Sequence, residues 1–377
     1  MYRIFFSDKL KLAVAIHSGP FIGAEAIFAG KEILADARYT DKHILLWDLR
    51  RVTSMTLADI FKNHENSASS IIVTPEFKNW FGDYTDVVMG KLGDRMHSVA
   101  PINEPWCVGW LSHMLGHHAP GLRDIRATAR AMHHVLLSHG TAIKRMRALG
   151  MKNLGGVFNF EYPHPVDDTP EAIESAALYD EYYNQFFLSG IFNGRYPTRI
   201  LSAFEPHLPK GWQDDFATIQ SPIDWVGLNY YTCKRIAPNG GAWPSHDEVD
   251  GPLPKTQMGW EIYPEGLYHF LMRTKEMYSG DLPLFVTENG MANADVFEHG
   301  EVNDPERIAY VDQHLHAVRR AIVDGAPVEG YFLWSLMDNF EWSLGYEKRF
   351  GAVHVDFDTL ARTPKASYYA LQHALRC

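Results

Sequence analysis

From about residue 98 to the C-terminus the chain repeats one pattern: a short apolar run, a turn, then a long segment with helical spacing of its apolar residues. The strand-like runs are "SVAPINEP" (98–105), "NLGGVFNF" (153–160), "IDWVGLNYYT" (223–232), "PLFVTENG" (283–290) and "VEGYFLWSLMD" (328–338). Between them lie helical patterns over 122–150, 171–187, 265–280 and 304–325. In the last of these Asp304 is expected to cap, Pro305 suits the first helical position and Gly325 ends the run. Strands alternating with helices imply an α/β fold with a parallel sheet, either closed as a (β/α)8 barrel or open and doubly wound.

The loops decide between these. An open dinucleotide-binding sheet needs a glycine-rich turn after its first strand, and no GxGxxG or GxxxxGK[ST] follows any strand here. Polar residues instead gather at the C-terminal ends of the runs: Asn103 and Glu104, Asn229 and Tyr231, Glu288 and Asn289, Trp334. A barrel enzyme collects its catalytic groups there, so the expectation is a TIM (β/α)8 barrel. Ahead of residue 98, "YRIFF" and "HILLWDL" read as strands, residues 23–37 and 77–93 as helices, and "KNHENSASS" (62–70) as a loop. That makes seven strand candidates, one short of a closed barrel. With no internal repeat, low-complexity tract or linker, residues 1–377 are expected to form a single domain.

Composition limits the partners. At 46% hydrophobic residues a chain of this length can bury a large core. A net charge of −11 without a basic block excludes a surface that tracks nucleic-acid phosphates, and favours small neutral ligands. Cys107, Cys233 and Cys377 are far apart with no CxxC pair, the pattern of a reducing compartment. The apolar run Leu12 to Ile16 is too short for a signal segment or a membrane span, so a cytoplasmic protein is expected. The 19 histidines include His117, His118, His133, His134 and His139 but form no HExxH or HxH, so neither metal nor cofactor is expected.

Two carboxylates carry the chemistry. Glycosidic bonds are commonly cut by a pair of acids, one protonating the leaving oxygen and the other attacking the sugar or activating water. Glu104 in "INEPW" and Glu288 in "LFVTENGMA" each end an apolar run beside an asparagine or a turn breaker. Tryptophans and tyrosines cluster with Asn, Asp and Glu in the last third of the chain, a combination suited to sugars as well as to a core.

"INEPW" and "FVTENGMA" resemble the acid/base and nucleophile signatures of glycoside hydrolase family 1, the retaining β-glycosidases. "GHHAPG", "HHVLLSHG", "FNGRYP", "DWVGLNYYT", "GWEIYPEGL" and "YFLWSLMDNFEWSLGYEKRFGAVHVDF" resemble the family in the family's order, so 76–377 is family-like and 1–75 divergent. The resemblance implies that Glu288 is the nucleophile, Glu104 the acid/base and Tyr231 a hydroxyl donor that keeps Glu288 ionised. It also implies that Asn103, Asn229, Trp334, Glu341, Trp342 and Phe350 bind the sugar. Glu104 is expected to titrate above Glu288, because one carboxyl must keep its proton at neutral pH.

The same resemblance sorts substrates. Glu341 would repel a sugar 6-phosphate, and a glutamate rather than a glutamine at position 104 points to O-glycosides. The expected function is hydrolysis of nonreducing terminal β-D-glucosyl bonds in small unphosphorylated glycosides, with no membrane or nucleic-acid partner; a homo-oligomer is compatible with this. The family's first strand, with its QIEG-type glutamine, has no counterpart here. If Tyr2 and Arg3 open the second strand, Leu46 replaces a sugar-binding histidine ahead of Trp47 and Asp48. These departures support the alternative of a truncated, weakly active or inactive sugar-binding remnant; a 6-phospho-β-glycosidase is the third reading.

Overall fold

The structure, a computed structural model, describes residues 2–7, 12–20, 44–54 and 71–376, with side chains over 72–376. The helix expected over 23–37, the loop at 62–70 and the side chains of Leu46, Trp47 and Asp48 lie outside the described residues.

Three strands precede the repeating part: β1 (Tyr2–Ser7), β2 (Leu12–Pro20) and β3 (Ile44–Ser54). Strand β2 lies in the middle, antiparallel to β1 and parallel to β3. The strands expected at "YRIFF" and "HILLWDL" are thus present as β1 and β3, with β2 between them rather than side by side. Only residues 8–11 separate β1 from β2, and a connection that short joins antiparallel strands, whereas a parallel crossover needs about a dozen residues or more. The run at Leu12, considered above only as a signal or membrane segment, is the central strand of this sheet.

The main sheet contains β4 (Gly155–Pro165), β5 (Trp225–Pro238), β6 (His246–Val249), β7 (Leu284–Asn289) and β8 (Val328–Leu333). Its order is β8-β7-β5-β4, all parallel, with β6 antiparallel on the far end of β5. Parallel bridges from Val99 to Leu154 and from Asn103 to Val157 add the 99–103 segment beside β4. The five strand-like runs from residue 98 onward therefore pair in chain order, as consecutive strands of a (β/α)8 barrel do.

Helices α1 (Phe77–Leu92), α2 (Ile125–Ala148), α3 (Pro170–Asp180), α4 (Pro264–Thr274) and α5 (Pro305–Val323) follow their sequence signals, whereas α6 (Ala366–Ala374) was not among the expected helices. Asp124 caps α2 by accepting from the Ala127 N–H at 2.8 Å, and Thr169 caps α3 ahead of Pro170. Pro305 does occupy the first turn of α5, and Gly325, at φ +95°, stands just beyond its end. Asp304 departs from expectation: its carboxylate makes no cap bond. It accepts instead from the Ser367 N–H and hydroxyl and pairs with Arg307, because a buried guanidinium is the more demanding partner.

The core lies between sheet and helices. Val226, Leu228, Leu284 and Val286 from the strands pack with Ala129, Met132 and Met146 of α2, all inaccessible to solvent. Each large aliphatic side chain among them contributes about 1.5–3 kcal/mol of transfer free energy. This packing holds the strand ends in place. Among the described residues no helix is long and apolar enough to cross a membrane.

Candidate active site

Glu104 follows the 99–103 segment at a turn with φ +49°, an uncommon backbone state for a residue with a side chain. Its N–H donates to the Val157 carbonyl on β4 at 3.1 Å, which fixes the turn to the sheet. Glu288 lies near the end of β7, in register with Asn229 on β5. Two strand ends, 184 residues apart in sequence by subtraction of 104 from 288, thus converge at one edge of the sheet.

The two carboxylates are joined by amides. Asn103 Nδ2 donates to Glu288 Oε1 at 3.2 Å, and Asn229 Nδ2 donates to Glu104 Oε1 at 2.9 Å and to Asn103 Oδ1 at 3.0 Å. Thr287 Oγ1 donates to Asn229 Oδ1 at 2.6 Å, and the Tyr231 hydroxyl donates to Glu288 Oε2 at 2.7 Å. Asn229 is 0% exposed, with its amide hydrogens on Asn103 and Glu104. Asn229 thus stands between the two carboxylates and orients them through Asn103 and Glu104.

Burial shapes the electrostatics. It pushes the Glu104 carboxyl above its ordinary value, against the bonds from Asn229 and Cys107 and together with the charges of Glu341 and Glu161. Glu288 is pushed up to about 7 by burial and then by the charge of Glu104, while Tyr231, Asn103 and Asn229 pull it down. Glu341 is raised by burial and by Glu288. Burial and mutual repulsion among the three carboxyls thus favour their protonated forms.

The remaining expected residues fall around this cluster unequally. Trp334 directly follows β8, and its carbonyl lies so close to Gly290 that a Cβ there would come within 1.9 Å of the oxygen. Position 290 therefore requires glycine for close approach rather than as a mere turn breaker. Phe350 is 2% exposed, with its ring centroid 6.1 Å from that of Tyr231. Trp342 is 67% exposed and pairs with no other ring among the described residues. Asn289 is buried and serves the frame: it donates to the Tyr230 carbonyl at 2.6 Å and accepts from the Tyr331 hydroxyl at 2.7 Å.

The family model for glycosyl hydrolase family 1 matches residues 73–377. The chain belongs to glycosyl hydrolase family 1. Among curated relatives in family 1, the chain is 41% identical over 297 residues to beta-glucosidase A of Thermotoga maritima, covering 78% of this chain and 66% of that protein. It is 41% identical over 295 residues to a beta-glucosidase of an Agrobacterium species, covering 76% and 63%. The family 1 β-glucosidase of T. maritima solved with isofagomine lactam superposes with a TM-score of 0.77 at 40% identity, covering 81% of this chain and 69% of that one. The chain spans about two thirds of the length of these curated relatives. Family 1 membership carries the (β/α)8 barrel fold with it.

Three residues around the carboxylates and their partners were not singled out as site residues in the sequence. Thr287 is a strand residue like many others, and only the β5–β7 register brings it to Asn229. Trp260, inside the quoted "GWEIYPEGL", has its ring 5.5 Å from Tyr231. Cys107 donates its thiol to Glu104 Oε2 at 3.2 Å, and its place three residues after a glutamate at a helix start was a legible signal. Three of the histidines singled out, His133, His134 and His139, are buried in the core. His133 bridges the Tyr196 hydroxyl and Asp215, His134 donates to the Ile72 carbonyl, and burial pushes His134 and His139 down to about 4.

Proposed function

We propose that this chain is a retaining β-glucosidase that hydrolyses the nonreducing terminal β-D-glucosyl bond of unphosphorylated O-glycosides by double displacement. The observation that carries the reading is the joined pair of carboxyls, with the Tyr231 hydroxyl aimed at Glu288. Phenol and amide donors on Glu288 outweigh an amide and a weak thiol on Glu104, so the negative charge belongs on Glu288 and the proton on Glu104.

In the first step a Glu288 oxygen attacks the anomeric carbon while Glu104 gives its proton to the departing glycosidic oxygen, which leaves a glycosyl ester on Glu288. In the second, Glu104 takes a proton from water, the water oxygen bonds to the anomeric carbon, and the ester bond returns its electrons to Glu288. Asn103, with its amide on Glu288, is the neighbour suited to the sugar 2-hydroxyl; Trp334, Trp342 and Phe350 would wall the sugar, and Glu341 would accept from its hydroxyls. The relatives named beta-glucosidase at 41% identity support the substrate class, while the 6-phospho-beta-galactosidase of Clostridium acetobutylicum is less similar at 32%.

Intact-mass analysis after exposure to an activated 2-deoxy-2-fluoro-β-glucoside tests the reading. A single glycosyl adduct that maps to Glu288 and is absent from Glu288→Gln is expected; folded protein that stays unlabelled would refute the nucleophile assignment. A sugar-holding protein without turnover is the second reading, favoured by a main sheet with four parallel strands and the bridged 99–103 segment among the described residues, fewer than the eight of a closed barrel. Aryl β-glucoside hydrolysis no faster than in Glu288→Gln would select it.

A further inference from the structure

The turn that carries Glu104 closes on itself. The Glu104 carbonyl accepts from the N–H groups of Cys107 at 3.0 Å and Val108 at 3.4 Å, which begins a helical turn and brings the Cys107 side chain back over the carboxyl. Its Sγ then lies 3.2 Å from Glu104 Oε2, while Asn229 holds Oε1. The turn has little freedom to move. Trp106 packs its ring 4.2 Å from that of Tyr183, and Gly109 sits so close to Met132 of α2 that a Cβ would meet its side chain at 2.5 Å.

We propose that Cys107 is a positioning residue for Glu104, whose thiol holds Oε2 and sets how readily that carboxyl gives up and regains its proton. The inference rests on the acid/base role proposed above. A thiol is a weak donor, so it favours the carboxylate slightly without preventing the acid form from existing. Groups that face Glu104 from other elements act mostly the other way: Glu288 on β7, Glu161 on β4 and Glu341 after β8 oppose its ionisation by like charge. Tyr231 on β5 and Tyr183 in the 181–185 turn stand near it as neutral phenols, and Asn229 is the other donor. Cys107 remains a thiol, because burial and then the charge of Glu104 push it well above its ordinary value. It acts as a fixed donor and takes no part as a nucleophile.

The test compares Cys107→Ala and Cys107→Ser with wild type in the pH dependence of kcat/KM on an aryl β-glucoside. Loss of the donor should move the basic limb to higher pH by about 0.5–1 unit, and a serine hydroxyl should hold it at or below the wild-type position. Limbs that coincide in all three proteins, or that move in the same direction in both variants, overturn the proposal.

Wild-type turnover no higher than that of Glu288→Gln would mean that the functional reading has failed, and the inference is then decided by infrared spectroscopy. The S–H stretch assigned to Cys107 by difference from Cys107→Ala should shift as Glu104 titrates, and that pH dependence should vanish in Glu104→Gln. A band unmoved by pH in the wild-type protein overturns the proposal on its own.

Discussion

Replacing Tyr231 with phenylalanine removes one oxygen and keeps the ring that packs 5.5 Å from Trp260 and 6.1 Å from Phe350. The lost contact is a 2.7 Å bond from the phenol to Glu288 Oε2. The phenol is a donor throughout the working range, because burial and then the charge of Glu288 push its own ionisation well above the ordinary value. A hydrogen bond to a charged group contributes about 1.5–3 kcal/mol, which corresponds to roughly 1–2 pH units for the carboxyl that receives it. The donor favours the ionised form, so its loss raises Glu288 further from its value of about 7. The nucleophile must be ionised, and the acid limb of kcat/KM should therefore move up by about 1–2 units, with a loss of about 10-fold or more on the acid side. The assay is a pH series on an aryl β-glucoside together with the rate of labelling by the 2-fluoro sugar. Both readouts should fall together, with thermal stability little changed. An acid limb within half a unit of wild type, in folded protein, would refute the idea that Tyr231 holds Glu288 ionised.

Two further outcomes follow from the buried charges. Lys365 is fully buried and pairs with Asp338 at 2.8 Å and with Asp295, in a network that reaches Arg307 and Arg349. Lys365→Met leaves two buried carboxylates short of a cation, and urea unfolding should show a loss of about 3–5 kcal/mol; less than about 1 kcal/mol would mean the arginines suffice. His139 is held neutral, its pKa pushed down from 6.5 to about 4 by burial. A depressed histidine contributes stability that is present above the unfolded value and lost as pH falls from about 6.5 towards 4. His139→Leu should therefore flatten the fall of unfolding free energy across that window by roughly 3 kcal/mol at most, and an unchanged slope would count against the assignment.

The carboxylate pair was legible because each member is marked locally. Glu104 follows an apolar run before Pro105, and Glu288 ends another before Asn289 and Gly290, so strand period and turn chemistry announce two acids at strand ends. Resemblance to the family then supplied their expected roles. The Asp304 cap was a sound local expectation that failed, since its oxygens are taken by Arg307 and by Ser367, the latter 63 residues away. The β1–β2 pairing was missed although its signal, a four-residue connection, lay in plain sight.

What the sequence by itself determined is what short-range physics encodes: where strands and helices alternate, which residues end them, and that two glutamates stand at such ends. Only the tertiary structure decided that Asn229 is a buried hub between Thr287, Asn103 and Glu104. These partners lie 58, 126 and 125 residues from it, and no periodicity specifies which side chain meets which across that distance. Register specifies it: once β4, β5 and β7 pair side by side, the pleat sends alternate residues to one face, and the amides, the phenol and the carboxyls have one arrangement that satisfies them all.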